Sequence, residues 1–180
     1  MSACGTARSS SATDAPSYRI SERVLSEDDL LLQEIDLDAD GTPETLNYFR
    51  QRRDAARLLV RKEIDLNRDG RVDVVSYFDT DGQLEKEEMD SDYDGQFDWT
   101  DHYQDGLRVM SEWDSDFDGR PNIFKYYVRD EAGRVSLDRK ERDSDGDGRI
   151  DVWERFSPTG EVIRFGQDTD GDGEIDLRDE

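Results

Sequence analysis

The sequence has few of the residues on which most catalytic centres and structural frameworks depend. One cysteine and one histidine among 180 residues exclude a disulfide framework, a cysteine-based zinc site and a multi-histidine metal centre. Only 33% of the residues are hydrophobic, and no apolar run approaches the roughly 20 residues that span a bilayer. There is no Ser/His/Asp set, phosphate loop or zinc motif, so we expect a protein that is not an enzyme.

Positive charge is also scarce. The chain has 24 Lys and Arg against 47 Asp and Glu, which gives a formal net charge of −23. Nucleic-acid phosphates would repel so acidic a protein, which excludes a nucleic-acid partner. High net charge combined with low hydrophobic content is typical of disordered chains. Folding therefore requires something that neutralises the acid.

The acidic residues are mostly aspartates, and they recur in phase. There are 32 Asp and 15 Glu, and Asp is the short carboxylate of turns and ion-binding loops. The pattern D-x-[DN]-x-D-G occurs six times, and we number these loops 1 to 6 in chain order. They start at Asp36, Asp65, Asp90, Asp114, Asp143 and Asp168. Intervals of 24 to 29 residues indicate a repeat architecture.

This spacing matches the chemistry of calcium. Ca²⁺ takes six to eight oxygen ligands, and a tight loop directs side chains 1, 3 and 5 at one point. Gly at position 6 allows the sharp turn, the carbonyl of position 7 faces the ion, and positions 9 and 12 complete the shell. Mg²⁺ is disfavoured because it prefers near-ideal octahedra and keeps several waters.

Applied to the six loops, these rules predict the metal ligands and about four to six Ca²⁺ ions. The predicted ligands are Asp36, Asp38, Asp40 and Glu44 in loop 1; Asp65, Asn67, Asp69 and Asp73 in loop 2; Asp90, Asp92, Asp94, Asp98 and Asp101 in loop 3; Asp114, Asp116, Asp118 and Asn122 in loop 4; Asp143, Asp145, Asp147, Asp151 and Glu154 in loop 5; and Asp168, Asp170, Asp172, Asp176 and Asp179 in loop 6. Loop 5 meets every rule, whereas loop 4, with Lys125 at position 12, meets the fewest.

The segments between the loops are typical of β-hairpins. Phe97 to Tyr103 and Leu107 to Trp113, for example, are short β-branched and aromatic runs separated by a Gly turn. We therefore predict a mainly β fold of repeated hairpins joined by six calcium loops, in one elongated or solenoid-like array with the loops at one edge. The aromatic residues are expected to pack along the sheet. A short helical turn at Trp153 to Phe156 is the alternative after loop 5.

Two segments stay open between helix and hairpin. Ser17 to Ile35 fits either an amphipathic helix or a leading hairpin that turns at residues 26–29. Arg50 to Val60 lacks the Gly of the other turns and could hold a helical insertion. The arginines from Arg50 to Arg61 are expected to neutralise nearby acid. His102 aligns with a tyrosine of the preceding repeat, which favours a repeat position over a catalytic one.

Loops 5 and 6 resemble EF-hand calcium loops, and all six are similar to the D-x-D-x-D-G repeats of dockerins and thrombospondin type 3 modules. The resemblance implies calcium-ligand roles for Asp36, Asp38, Asp40 and their counterparts. The chain departs from EF-hands in lacking flanking helices, and from dockerins in having six loops and intervening hairpins. The expected function is that of a calcium-stabilised structural or surface repeat protein. The alternative is calcium-dependent recognition of a protein or glycan partner.

The first residues differ in composition from the rest. Residues 1–17 are rich in Ser, Thr and Ala and predict a flexible tether, followed by a repeat domain over 18–180. Ser2-Ala3-Cys4 resembles the end of a bacterial lipoprotein signal, which implies lipid attachment at Cys4 and membrane contact only through that lipid. We then expect an exported protein of the outer membrane or cell surface, with the periplasm as alternative. An incidental cysteine in a disordered start is the competing explanation.

Overall fold

The computed structural model describes residues 18–26, 29–53 and 55–178, and its secondary structure is entirely β. The strands are β1 (Arg19–Leu25), β2 (Leu30–Asp36), β3 (Thr45–Arg50), β4 (Leu58–Ile64), β5 (Val74–Phe78), β6 (Leu84–Met89), β7 (Trp99–Gln104), β8 (Leu107–Trp113), β9 (Ile123–Arg129), β10 (Val135–Arg142), β11 (Val152–Phe156), β12 (Val162–Gln167) and β13 (Leu177–Arg178). They form one 13-stranded antiparallel sheet in chain order. The predicted array of repeated hairpins is confirmed. Within these residues, no helix is long and apolar enough to cross a bilayer.

The strand order places all six acidic loops at the same edge of the sheet. Loops 1 to 6 connect β2 to β3, β4 to β5, β6 to β7, β8 to β9, β10 to β11, and β12 to β13. The remaining connections lie at the opposite edge, because successive strands run in alternating directions. Adjacent strands are about 4.8 Å apart, so neighbouring acidic loops are about 10 Å apart. The loops thus form a single row.

The opposite edge consists of tight hairpin turns. In the turn after β5, the N–H groups of Asp81 and Gln83 donate to Asp79 Oδ1 at 2.8 and 2.9 Å, and Gly82 has φ of 83°. A one-residue register shift precedes each turn from β3–β4 to β11–β12. Such bulges increase the local twist of a strand pair. The Gly turns seen in the sequence therefore close the hairpins as predicted.

The ambiguous segments form hairpins. β1 and β2 pair from Arg19↔Asp36 to Leu25↔Leu30, so the leading-hairpin alternative is correct. Residues 51–53 and 55–57, between β3 and β4, contain no helix. The alternative of a helical turn after loop 5 is wrong, because Val152–Phe156 is strand β11. Residues 1–17, including Cys4, and Asp179 lie outside the described residues.

A continuous row of apolar side chains crosses one face of the sheet beside the acidic loops. Successive cross-strand partners in it are Ile64, Val74, Met89, Trp99, Trp113 and Ile123. The rings of Trp99 and Trp113 lie 5.5 Å apart, and Lys125 Nζ lies 4.7 Å from the Trp99 ring. The aromatic residues therefore pack along the sheet, as their hairpin positions predict.

On the opposite face, aromatic and cationic side chains alternate from strand to strand. Tyr48, Arg61, Tyr77 and Lys86 are successive partners in this row. The Arg61 guanidinium lies 5.3 and 5.8 Å from the Tyr48 and Tyr77 rings, and Lys86 Nζ lies 4.5 Å from Tyr77. These are distances at which a cation is attracted by an aromatic ring.

Basic residues of the strands also neutralise acid locally. Arg57 pairs with Glu22 at 2.7 Å, and Arg61 pairs with Glu63 on its own strand. The predicted neutralising role of the segment from Arg50 to Arg61 agrees with these pairs. His102 lies opposite Lys86 in the sheet, and its Nε2 lies 3.0 Å from a Glu112 oxygen. It occupies a repeat position of the sheet face, as expected.

Candidate metal sites

All six acidic loops have the same internal hydrogen bonds. The carboxylate at position 1 accepts the N–H of the position-6 glycine at 2.7–3.0 Å in every loop. The position-5 carboxylate accepts the N–H of position 7 at 2.7–2.9 Å in every loop. Each bond fixes one oxygen of a carboxylate and leaves lone pairs of the side chain for another partner. Hydrogen bonds within each loop therefore define its shape.

Two left-handed residues give each loop its turn. At position 6 the glycines have φ between 86° and 104°. Position 4 is also left-handed, with φ from 59° to 78°, although it is Gly only in loops 5 and 6. Ala39, Arg68, Tyr93 and Phe117 occupy it in the other four loops. An L-residue in this conformation costs roughly 1–2 kcal/mol, so these loops are strained.

The loops bring carboxylate oxygens within the range of one ion. One oxygen from each of three residues lies within 4.8 Å of the others in five loops. The groups are Asp36, Asp38 and Asp40; Asp90, Asp92 and Asp94; Asp114, Asp116 and Asp118; Asp143, Asp145 and Asp151; and Asp168, Asp170 and Asp176. Calcium–oxygen distances are about 2.3–2.6 Å, so two ligands of one Ca²⁺ are at most about 5 Å apart. Each group therefore fits a metal ion.

Loop 2 forms no such group. Its Asn67 supplies an amide, and Nδ2 of that amide donates to Asp69 Oδ2 at 3.3 Å. Asp65 and Asp73 are both buried in this loop, and Asp73 Oδ2 accepts the N–H of Leu66 at 2.6 Å. Loop 2 therefore has the predicted residues, but it carries carboxylates only at positions 1, 5 and 9, because position 3 is an amide. Loop 4, which meets the fewest of the spacing rules, does form a group.

Position 9 has a partner that the sequence analysis did not identify. Ser144 Oγ donates to Asp151 at 2.7 and 2.8 Å, and the hydroxyls at position 2 of loops 3, 4 and 6 bond position 9 in the same way. The backbone N–H of position 2 donates to position 9 in all six loops. The hydroxyl thus orients a predicted ligand. Its signal in the sequence is the recurring D-[ST]-D at loops 3 to 6.

Two predicted ligands at position 12, Asp101 and Glu154, contact cross-strand neighbours. Asp101 accepts the hydroxyl of Ser111 and pairs with Arg108 at 3.3 Å. Glu154 pairs with Lys140 on the adjacent strand at 3.1 Å. Neither carboxylate belongs to the convergent groups. Position 12 lies within a strand, where the register determines which residue it meets.

Many carboxylates are buried at this edge without a cationic partner. Among the described residues, nine carboxylates at positions 1 and 9 are buried, against five buried hydrophobic residues. Burying an unpaired charge costs several kcal/mol. Asp36 is only 7% exposed, and its Oδ1 has no hydrogen-bond partner. Within the described part of the chain, Arg68 alone among Lys and Arg pairs with a carboxylate at positions 1, 3, 5 or 9.

The pKa directions differ between loops. In loop 3, desolvation and the neighbouring carboxylates raise the pKa of Asp92. In loop 4, the same causes raise the pKa of Asp116. In loop 6, the N–H of Gly173 lowers the pKa of Asp168, and the hydroxyl of Thr169 lowers that of Asp176. Asp92 and Asp116 therefore take up protons at higher pH than Asp168 and Asp176.

Fold and loops together define a class, namely an antiparallel hairpin-repeat protein with a row of acidic loops suited to metal ions. No protein-family model matches the chain, and no curated protein matches it in sequence. Among solved structures, a chain in the crystal structure of accessory secretory protein 1, 2 and 3 of Streptococcus pneumoniae is similar, with 17% identity and a TM-score of 0.38. The similarity covers 64% of this chain and 20% of that one. A similarity of this size identifies neither a fold family nor a function.

Proposed function

We propose that this protein is a calcium-stabilised structural or surface repeat protein. The observation that carries the proposal is the row of nine buried carboxylates, of which only Glu44 forms an ion pair with Lys or Arg among the described residues. Carboxylate oxygens that converge within 4.8 Å are suited to a hard cation such as Ca²⁺. In loops 3 and 5 position 12 is engaged elsewhere, so the ions of these loops are held by positions 1, 3, 5 and 9, the carbonyl of position 7 and water.

Ion binding in this scheme is coupled to folding. The hydrophobic core of the described residues is small, and the carboxylates repel one another in the absence of ions. Six Ca²⁺ would bring the net charge from −23 to about −11. The ligands converge only in the folded loops, so the free energy of ion binding contributes to folding. We expect the ion-free chain to be largely disordered.

A calcium titration of chelator-stripped protein tests the proposal. Trp99 directly follows Asp98 of loop 3, and Trp113 directly precedes Asp114 of loop 4, so the near-UV circular dichroism of these rings reports order at the loop edge. Calorimetry should show about four to six bound ions, with the aromatic signal appearing in step. Magnesium at the same concentration is the control and should be much less effective. Absence of calcium binding, or an unchanged fold in excess chelator, would contradict the proposal.

A second candidate function is calcium-dependent recognition of a protein or glycan. Tyr93, Phe97 and Phe117 are each nearly half exposed, and they lie in or beside loops 3 and 4. Exposed aromatic residues are enriched at binding surfaces. The triple variant with Ala at these positions should keep calcium binding and lose retention on immobilised glycans or proteins. If the calcium-loaded wild type shows no calcium-dependent retention, this second function is rejected.

Export and anchoring belong to the same proposal and rest on the sequence at Cys4. Millimolar calcium outside cells can fill weak sites, which is consistent with a bacterial lipoprotein at the outer membrane or cell surface, or in the periplasm. Mass spectrometry of the N-terminal peptide from the native source tests it. The expected result is a mature chain that starts at a lipidated Cys4. An unmodified cysteine preceded by other residues would refute the anchor.

A further inference from the structure

Loop 1 differs from the other loops, among the described residues, in that carboxylates at positions 3 and 9 pair with a cationic side chain of the protein itself. Nη1 of Arg68 donates to Asp38 Oδ2 at 2.9 Å, and its Nε lies 3.7 Å from Glu44 Oε1. Asp38 and Glu44 are positions 3 and 9 of loop 1, whereas Arg68 is position 4 of loop 2. The guanidinium of loop 2 thus contacts two predicted ligands of the preceding loop.

The backbone makes this reach possible. The N–H of Asp65, the first residue of loop 2, donates to the carbonyl of Glu44 at 2.9 Å. This bond holds loop 2 directly beside loop 1. The N–H of Arg68 donates to Asp65 Oδ1 at 2.6 Å, and its φ of 64° belongs to the left-handed turn. The backbone of Arg68 is therefore held in a fixed position within loop 2, beside loop 1.

Only loop 2 has a positively charged residue at position 4. The other loops have Ala39, Tyr93, Phe117, Gly146 and Gly171 at this position, none of which carries a positive charge. Arg71, the other arginine of loop 2, points to loop 3, where its Nη1 lies 3.4 Å from the carbonyl oxygen of Asp94. The contact of Arg68 with loop 1 is therefore a specific feature of one junction.

The charge that Arg68 supplies does not satisfy loop 1 completely. Asp36 Oδ1 is buried and accepts no hydrogen bond, although Asp36 contributes one oxygen to the convergent group with Asp38 and Asp40. Arg68 is half exposed, and water screens a pair of this kind, so its contribution to stability is small. A divalent ion can reach all these oxygens at once, so it can displace the guanidinium.

We infer that Arg68 is a tethered competitor that occupies loop 1 until a divalent cation displaces it, so that loop 1 fills after loops 3 to 6 as calcium rises. This inference rests on the proposed calcium function. An ion at loop 1 must break two charge contacts and then stand near a positive guanidinium. Loops 3 to 6 carry no such competitor among the described residues. Loop 1 thus has a lower calcium affinity than loops 3 to 6, set by a neighbouring repeat.

The position-6 glycine amides allow each loop to be followed separately. Gly41 N–H donates to Asp36 Oδ2 at 3.0 Å, and Gly70, Gly95, Gly119, Gly148 and Gly173 make the same bond in their loops. The experiment starts from calcium-loaded, ¹⁵N-labelled protein and lowers free calcium with a chelator. In the wild type, the Gly41 resonance should leave its calcium-loaded position before those of loops 3 to 6.

Arg68→Ala should move the Gly41 midpoint to lower free calcium by about three- to tenfold. This is the effect of removing one unit charge about 6 Å from a divalent ion at high dielectric and moderate salt. Ala39 already occupies position 4 of loop 1 with φ of 62°, so Ala is compatible with this backbone. Arg71→Ala removes the same charge from the same loop and is the matched control. It should leave the Gly41 midpoint within about twofold of the wild type.

The outcomes separate this inference from the proposed function. If no glycine amide responds to calcium, the proposed function fails. If the other loops respond while Gly41 moves with them and ignores Arg68→Ala, only the inference fails. Equal shifts of Gly41 in both arginine variants would also overturn it, because they would reflect net charge alone.

Discussion

Asp90→Asn tests the idea that both oxygens of a position-1 carboxylate are needed. Asp90 is 2% exposed, with Oδ1 accepting the N–H of Tyr93 at 2.7 Å and Oδ2 that of Gly95 at 2.7 Å. An amide can present only one oxygen, so either rotamer leaves a backbone N–H facing an NH₂ group. Losing a hydrogen bond to a buried charged group costs about 2–3 kcal/mol.

For a protein of this length, that loss lowers the melting temperature by about 5–10 °C in calcium. Asp79→Asn in the turn after β5 is the matched control. The two N–H groups that donate to the Asp79 side chain bind the same oxygen, Oδ1. An asparagine side chain keeps one such oxygen, so both bonds can remain. We expect its melting temperature to change by less than about 2 °C.

Thermal unfolding followed by near-UV circular dichroism, with calcium saturating, measures both variants. A similar small effect of Asp90→Asn and Asp79→Asn would refute the argument from the two oxygens. The calcium dependence of the Asp90→Asn protein gives a second criterion. Because the substitution also removes a predicted ligand, its midpoint for calcium at loop 3 should rise. An unchanged midpoint would show that Asp90 does not contact the ion.

Three further predictions concern single loops. Tyr93→Gly should stabilise the calcium-loaded protein by about 0.5–1 kcal/mol in urea unfolding, because it relieves left-handed strain; Tyr93→Ala should not. Ser144→Ala should weaken calcium at loop 5 about tenfold by freeing Asp151, and an unchanged loop-5 glycine midpoint in NMR would contradict this. As the pH falls from 7, loop 3 should lose calcium before loop 6, since the pKa of Asp92 is raised and that of Asp168 is lowered. A carboxylate with a raised pKa takes up its proton first; simultaneous loss would refute this ordering.

The repeat architecture could be predicted because its signals are local. Alternating apolar residues and Gly turns specify hairpins, and hairpins in series with loops of similar length form a meander with the loops at one edge. The segment from Ser17 to Ile35 stayed ambiguous because Leu31, Leu32 and Ile35 fit either period. Pairing of β1 with β2 decided it, and that pairing is a contact between strands rather than a local preference.

The candidate sites were only partly predictable for the same reason. Positions 1, 3 and 5 converge because hydrogen bonds within a few residues shape the loop. The neighbours of two predicted ligands at position 12 were not predictable, since Asp101 and Glu154 lie in strands and meet Ser111 and Lys140 across the sheet. Loop 4 forms a convergent group through Asp114, Asp116 and Asp118, although it has Lys125 at position 12.

The sequence by itself determined the six acidic loops, their turns and the hairpins between them, because each depends on side chains and glycines within about a dozen residues. Only the tertiary structure decided which residues meet across the strands. The register directs Glu154 to Lys140, and the bond between Asp65 and Glu44 brings Arg68 to loop 1. Such contacts depend on strand pairing between separate repeats, and no local pattern of residues encodes them.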